Sequence, residues 1–157
     1  MESIKLKKSN ILKFGIQTED GVDTGNYLEF DLEDIELPIR LQECLERHKK
    51  NEQFIRNQFI IINKRQDRKG KKLYSANEEA KIKAMQEYYK KEIECLDLFL
   101  GVGGTEKMLN GRKPYYTMFD DINEALEPIL PKITEKTMSI EQRIKEKYAK
   151  KENDVME

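Results

Sequence analysis

Hydrophobic and polar positions alternate at two places near the start of the chain. Leu12, Phe14 and Ile16 fall on one side of residues 11 to 18, with Lys13, Gly15 and Gln17 on the other. Residues 27 to 32 repeat the pattern, with Leu28, Phe30 and Leu32 inward and Glu29 and Asp31 outward. A period of two predicts half-buried strands. The segment EDGVDTGN between them is rich in Asp, Gly and Asn and predicts a hairpin loop. A lone hairpin is unstable, so its apolar face must pack on helices or pair with another subunit.

From about Glu36 the period becomes helical. Leu41, Leu45, His48, Ile55, Phe59 and Ile62 recur at three- and four-residue steps, with Pro38 suited to a first turn. No glycine or proline interrupts this stripe, which predicts one long helix. Residues 63 to 72, NKRQDRKGKK, hold no apolar side chain and predict a solvated linker. Ser75 and Glu78 form the pattern of a capping box. The helix they start carries Ala76, Met85, Tyr89, Ile93, Leu96 and Leu100 on one stripe, flanked by Tyr88, Cys95 and Phe99. It ends at a glycine cluster, Gly101, Gly103 and Gly104, and a short amphipathic turn closes at Gly111. A further helix is expected over residues 115 to 130, bent by Pro128 and stopped by Pro131. A final one starts at Ser139 with Gln142. The expected fold is α+β and mainly α-helical, an N-terminal β-hairpin packed on a bundle of four to five helices. One domain is expected over residues 1–133, with the hairpin at about 11–32 and helices at about 36–131. Residues 134–157 form a peripheral C-terminal helix and polar tail.

Composition narrows the classes of function. The 157 residues are 38% charged, with 29 Lys and Arg against 30 Asp and Glu. So balanced a charge provides no bulk attraction to nucleic acid or to a membrane surface. MESIKLKKSN lacks the apolar core of a signal peptide, and the longest strongly apolar run, Phe59 to Ile62, is too short to span a bilayer. Cys44 and Cys95 suit buried free thiols in a reducing compartment better than a disulfide framework.

The candidate chemistry is sparse. Residues 101 to 107 superficially resemble a phosphate loop, but Lys107 follows Glu106, Met108 follows the lysine, and a helix rather than a strand precedes the glycines. The glycines are therefore expected to form a structural corner, with no cofactor. His48, the one histidine, has Cys44 one turn before it, and with Cys95 that still makes no zinc site, so no metal is expected. The acidic run Glu29, Asp31, Glu33, Asp34, Glu36 and the pair Asp120 and Asp121 suit a solvated strand face and helix N-termini. No enzyme is expected. Lys64, Arg65, Arg68, Lys69, Lys71 and Lys72 could hold nucleic acid, but no aromatic is interleaved before Tyr74, and a charged linker is the simpler reading. Tyr88, Tyr89, Leu96, Phe99, Leu100, Tyr115 and Phe119 flank the corner and form either core or a partner-contact face.

IECLDLFLG, GGTEKMLNG and MFDDINEALEPIL, following the hairpin and the helix LPIRLQECLERHKKN, resemble the tail assembly chaperones of long-tailed (siphovirus-type) phages or prophages of Gram-positive bacteria. The likeness covers about residues 10 to 133. The basic segment around Gly70 is longer and more charged than that pattern. The resemblance implies a non-enzymatic chaperone that binds the tape-measure protein and helps recruit tail-tube subunits during tail morphogenesis. It further implies a homo-oligomer in the host bacterial cytoplasm, absent from the mature virion, without membrane or nucleic-acid partners. Two alternatives are a small nucleic-acid-associated regulator using residues 64–72 and another structural tail or head–tail joining protein.

Overall fold

A computed structural model describes residues 1–6 and 10–156. Two strands precede five helices: β1 (Ile11–Gln17), β2 (Asp23–Asp31), α1 (Leu37–Asn63), α2 (Ala76–Leu100), α3 (Gly104–Leu109), α4 (Met118–Leu126) and α5 (Leu130–Met156). The fold is thus α+β and mainly helical, with the antiparallel hairpin at the N-terminal end. Among the described residues no helix is long and apolar enough to cross a membrane. The chain forms two compact units, the described parts of Met1–Ile39 with Tyr115–Glu157, and Arg40–Pro114.

In the first unit, Leu12 pairs with Phe30 and Phe14 with Leu28. Leu28 and Phe30 are buried, and Phe14 meets Phe30 edge-on with ring centroids 6.2 Å apart. The other face of the hairpin is polar, where Lys13 bonds Glu29 at 3.2 Å. The turn is tighter than EDGVDTGN suggested. The Thr18 N–H donates to Val22 O at 2.8 Å, and Gly21 supplies the positive φ of 80°. Residues 23 to 26 belong to β2: Asp23 pairs with Gln17, and residues 24 to 26 form a bulge opposite Ile16, stitched by the Thr24 hydroxyl donating to Ile16 O at 2.7 Å. The same Asp, Gly and Asn content serves a bulge as well as a loop, which is why the pattern misled.

The helices of this unit bury Met118, Ile122 and Leu126 of α4, then Ile129 and Ile133. Phe14 lies under Lys132 Nζ, 5.8 Å from the ring centroid, and Glu33 bonds Lys136 at 3.7 Å, tying the hairpin to α5. The expected stop at Pro131 is corrected: Pro131 is the second residue of α5, where its missing N–H leaves no bond unmade. Ser139 accordingly lies inside α5, which is continuous through residues 133 and 134, and α4 begins at Met118 rather than Tyr115.

The second unit holds α1 from Arg40, then α2 and α3. The expectation of one unbroken α1 holds. The capping box at the start of α2 is present in both directions: Glu78 N–H to Ser75 Oγ at 3.2 Å, Ser75 N–H to Glu78 Oε2 at 3.4 Å. Buried side chains are Cys44 and Ile62 of α1 and Ala84, Cys95, Leu96, Phe99 and Leu100 of α2. Ala76 and Met85 of the expected α2 stripe are exposed, as is Leu45 of α1.

Candidate functional site

The glycine corner is built from both of its ends. Leu100 closes α2, and Gly101 takes φ 93° and ψ 167°, a region essentially confined to glycine, while its N–H still donates to Asp97 O at 2.9 Å. Gly103 adopts the left-handed conformation (φ 73°) and opens α3. Asp97 then does what no residue adjacent to α3 does. Its Oδ1 accepts the Thr105 N–H at 2.9 Å and the Thr105 hydroxyl at 2.8 Å, so a side chain from the last turn of α2 satisfies the first turn of α3. Thr105 is 1% exposed. Gly104 is needed for space, since a Cβ there would collide with Leu100 Cβ. Asn110 (φ 50°) and Gly111 (φ 79°) end the turn in two successive left-handed residues. Val102, at the outermost point, is fully exposed.

More than two helical turns before this corner lies a polar cluster that the residue patterns did not single out. The Glu92 side chain on α2 is 5% exposed and accepts from His48 Nδ1–H at 2.7 Å and from Asn51 Nδ2–H at 2.8 Å, both on α1. Glu52 sits 3.0 Å from His48 Nε2. An ionised carboxylate only accepts, so carboxylates at both ring nitrogens hold the ring as imidazolium. Burial pulls the His48 pKa down, but the hydrogen bond to Glu92 and the charges of Glu92 and Glu52 outweigh it, and the net shift is upward from 6.5. Burial first, then the same two carboxylates, push the Tyr88 phenol up to about 12. Every buried side-chain polar atom among the described residues has a partner.

The sequence-based candidates divide cleanly. Leu96, Phe99 and Leu100 are buried, and Tyr88 and Tyr89 are half-buried beside each other with centroids 6.0 Å apart. Tyr115 and Phe119, half-buried, belong to the other compact unit, where the Tyr115 hydroxyl donates to Asp121 at 2.7 Å. His48 lies in the polar cluster described above. Among the described residues no group of three or more His, Cys, Asp or Glu is placed to hold a metal ion.

The basic segment is ordered by an acid within it. Asp67 Oδ1 accepts the N–H of Arg68 at 2.8 Å and of Asn77 at 3.0 Å, and Asn77 Nδ2 returns a bond to Arg65 O at 3.0 Å. The Ala76 N–H donates to Arg68 O at 2.8 Å. The segment thus folds back on the start of α2, with its Lys and Arg side chains exposed.

Two signals could have found the missed residues. Glu92 lies three positions before Cys95 and seven before Phe99, on the stripe that turns inward. A histidine on an apolar helix face also requires a polar partner. No protein-family model, curated protein or solved structure matches the chain.

Proposed function

We propose that this chain is a non-enzymatic tail assembly chaperone of a long-tailed phage or prophage, which binds the tape-measure protein and helps recruit tail-tube subunits. One observation carries the protein-binding part of this reading. The apolar stripe of α5 is buried at Ile133, half-buried at Ile140, then continues exposed at Ile144 and Tyr148. A stripe at helical spacing that outruns its own core is suited to lying along another helix. On α1, Leu45, Ile60 and Ile61 are exposed as well.

The segments that carry the resemblance include the glycine corner. Asp97, Gly101, Gly104 and Thr105, which lie within the segments that carry it, are the residues whose geometry the α2–α3 turn requires. Weak contacts repeated along a long helical client multiply through avidity, so several copies of the chain would coat one client. In this reading the chain works in the host cytoplasm and leaves before the virion is complete. Co-expression with the tape-measure protein tests the proposal. The client stays soluble if the reading is right, and a client that aggregates regardless of this chain refutes it.

A further inference from the structure

Cys44 on α1 and Cys95 on α2 are 51 positions apart in sequence, yet their sulfurs are 3.6 Å apart. Both are free thiols and buried, and they are the two cysteines of the chain. The Cys95 S–H also points at the backbone carbonyl of Cys44, with sulfur and oxygen 2.8 Å apart, so the side chain of one residue lies directly over the main chain of the other. A disulfide needs the sulfurs at about 2.05 Å, an approach of roughly 1.5 Å from where they stand.

We propose that Cys44 and Cys95 form an oxidation site, a buried dithiol that a small peroxide converts to an internal disulfide joining α1 to α2. Cys44 is 7% exposed and Cys95 1%, which makes Cys44 the sulfur a small oxidant reaches first. The Cys44 thiol gives up its proton, its thiolate attacks one oxygen of hydrogen peroxide, the O–O bond breaks, and the departing hydroxide takes up that proton, leaving Cys44 sulfenic acid and one water. The Cys95 sulfur then attacks the Cys44 sulfur, the S–S bond forms, the S–O bond breaks, and the hydroxyl leaves with the Cys95 proton as a second water. Two thiols lose two electrons, and one peroxide becomes two waters.

The surroundings set the pace. The hydrogen bond to Cys44, then burial and the nearby Glu92 carboxylate, hold the Cys95 thiol well above its ordinary value. Little of it is thiolate at neutral pH, so the pair stays reduced until an oxidant has opened the reaction at Cys44. The closed bond links α1 to α2 covalently and constrains the unfolded chain, so the oxidised form resists denaturant better than the reduced one.

The test uses the full-length folded chain, treated with hydrogen peroxide at neutral pH, then alkylated and mapped by mass spectrometry without reduction. The expected product is a monomer containing a Cys44–Cys95 peptide that has lost two hydrogens. Dithiothreitol reverses it, and it has a higher urea midpoint than the reduced chain. Four outcomes overturn the proposal: two alkylatable thiols after treatment, separate sulfinic acids, disulfides between chains, or a cross-link that forms only in urea. Cys44→Ser serves as a control and should leave Cys95 reduced under the same treatment. Should that variant fail to fold, the wild-type map decides the matter alone.

Discussion

Glu92→Gln isolates the charge at the centre of the polar cluster because it keeps the volume and removes only the negative charge and one acceptor. Asn51 keeps its bond, since the amide oxygen of glutamine accepts as the carboxylate did. His48 does not, because the amide nitrogen now faces Nδ1, and two donors cannot bond. The ring recovers by losing its Nδ1 proton and donating from Nε2 to Glu52, so the variant favours neutral histidine. A charge-assisted bond to a buried carboxylate is worth roughly 1.5–3 kcal/mol. The His48 side chain is 38% exposed, and solvent screening brings the expected cost to about 1–2 kcal/mol near pH 6. For a chain of this size that corresponds to a fall in Tm of about 2–8 °C. The pH dependence has a definite sign. The folded-state pKa of His48 is raised, so the stabilisation is complete below 6.5 and is lost as pH rises through the raised value. The cost of Glu92→Gln should therefore shrink toward about 0.5 kcal/mol by pH 8.5. Urea unfolding of both proteins at pH 6 and pH 8.5, followed by far-UV circular dichroism, measures it. A cost that is equal at both pH values, or larger at the higher one, would refute the assignment of His48 as an imidazolium held by Glu92.

Further perturbations follow from the same geometry. Asp97→Ala leaves the buried Thr105 N–H and hydroxyl without their acceptor and should cost about 1–3 kcal/mol in urea unfolding. Gly104→Ala drives its Cβ into Leu100 and should cost about 1–3 kcal/mol, whereas Val102→Ala at the exposed tip should change stability by less than about 0.5 kcal/mol. Phe99→Asp puts an uncompensated charge at a 3% exposed site and should cost more than about 4 kcal/mol, read as loss of the cooperative transition. Hydrogen bonds from Asn77 first, then Ser75, hold the Asp67 carboxyl below its ordinary 3.8, so the ordering it provides is lost as pH falls through the lowered value. Asp67→Ala should remove it at neutral pH, seen as faster amide exchange at Arg68 and Asn77.

Elements governed by local rules were legible in the sequence. The alternation of Leu12, Phe14 and Ile16 against Leu28 and Phe30 marked the hairpin and its buried face. Ser75 and Glu78 marked the start of α2, and the absence of Gly or Pro from Ile39 to Asn63 marked an unbroken α1. Elements that depend on position within a helix were misread. Pro131 stops a helix from the inside and starts one from the first turn, and the residue type is the same in both cases. Glu92 looked like one more surface acid among 30 acidic residues, because its burial follows from pairing with His48, 44 positions away. Asp97 likewise acts across the glycines on Thr105, so the glycine spacing exposed the corner while its cap stayed hidden. The aromatics at 88, 89, 115 and 119 lay near the corner in sequence, yet the fold divides them between two units.

The central claim is that this chain binds an elongated helical client, and co-purification measures it most directly. An affinity-tagged tape-measure protein, expressed in one cell with this chain, should retain it in several copies per client. Replacing Ile144 and Tyr148, both exposed, by lysine should reduce that retention at least tenfold while the urea midpoint of the isolated chain stays unchanged. Retention that is absent from the outset, or that the two lysines leave intact, would contradict the account.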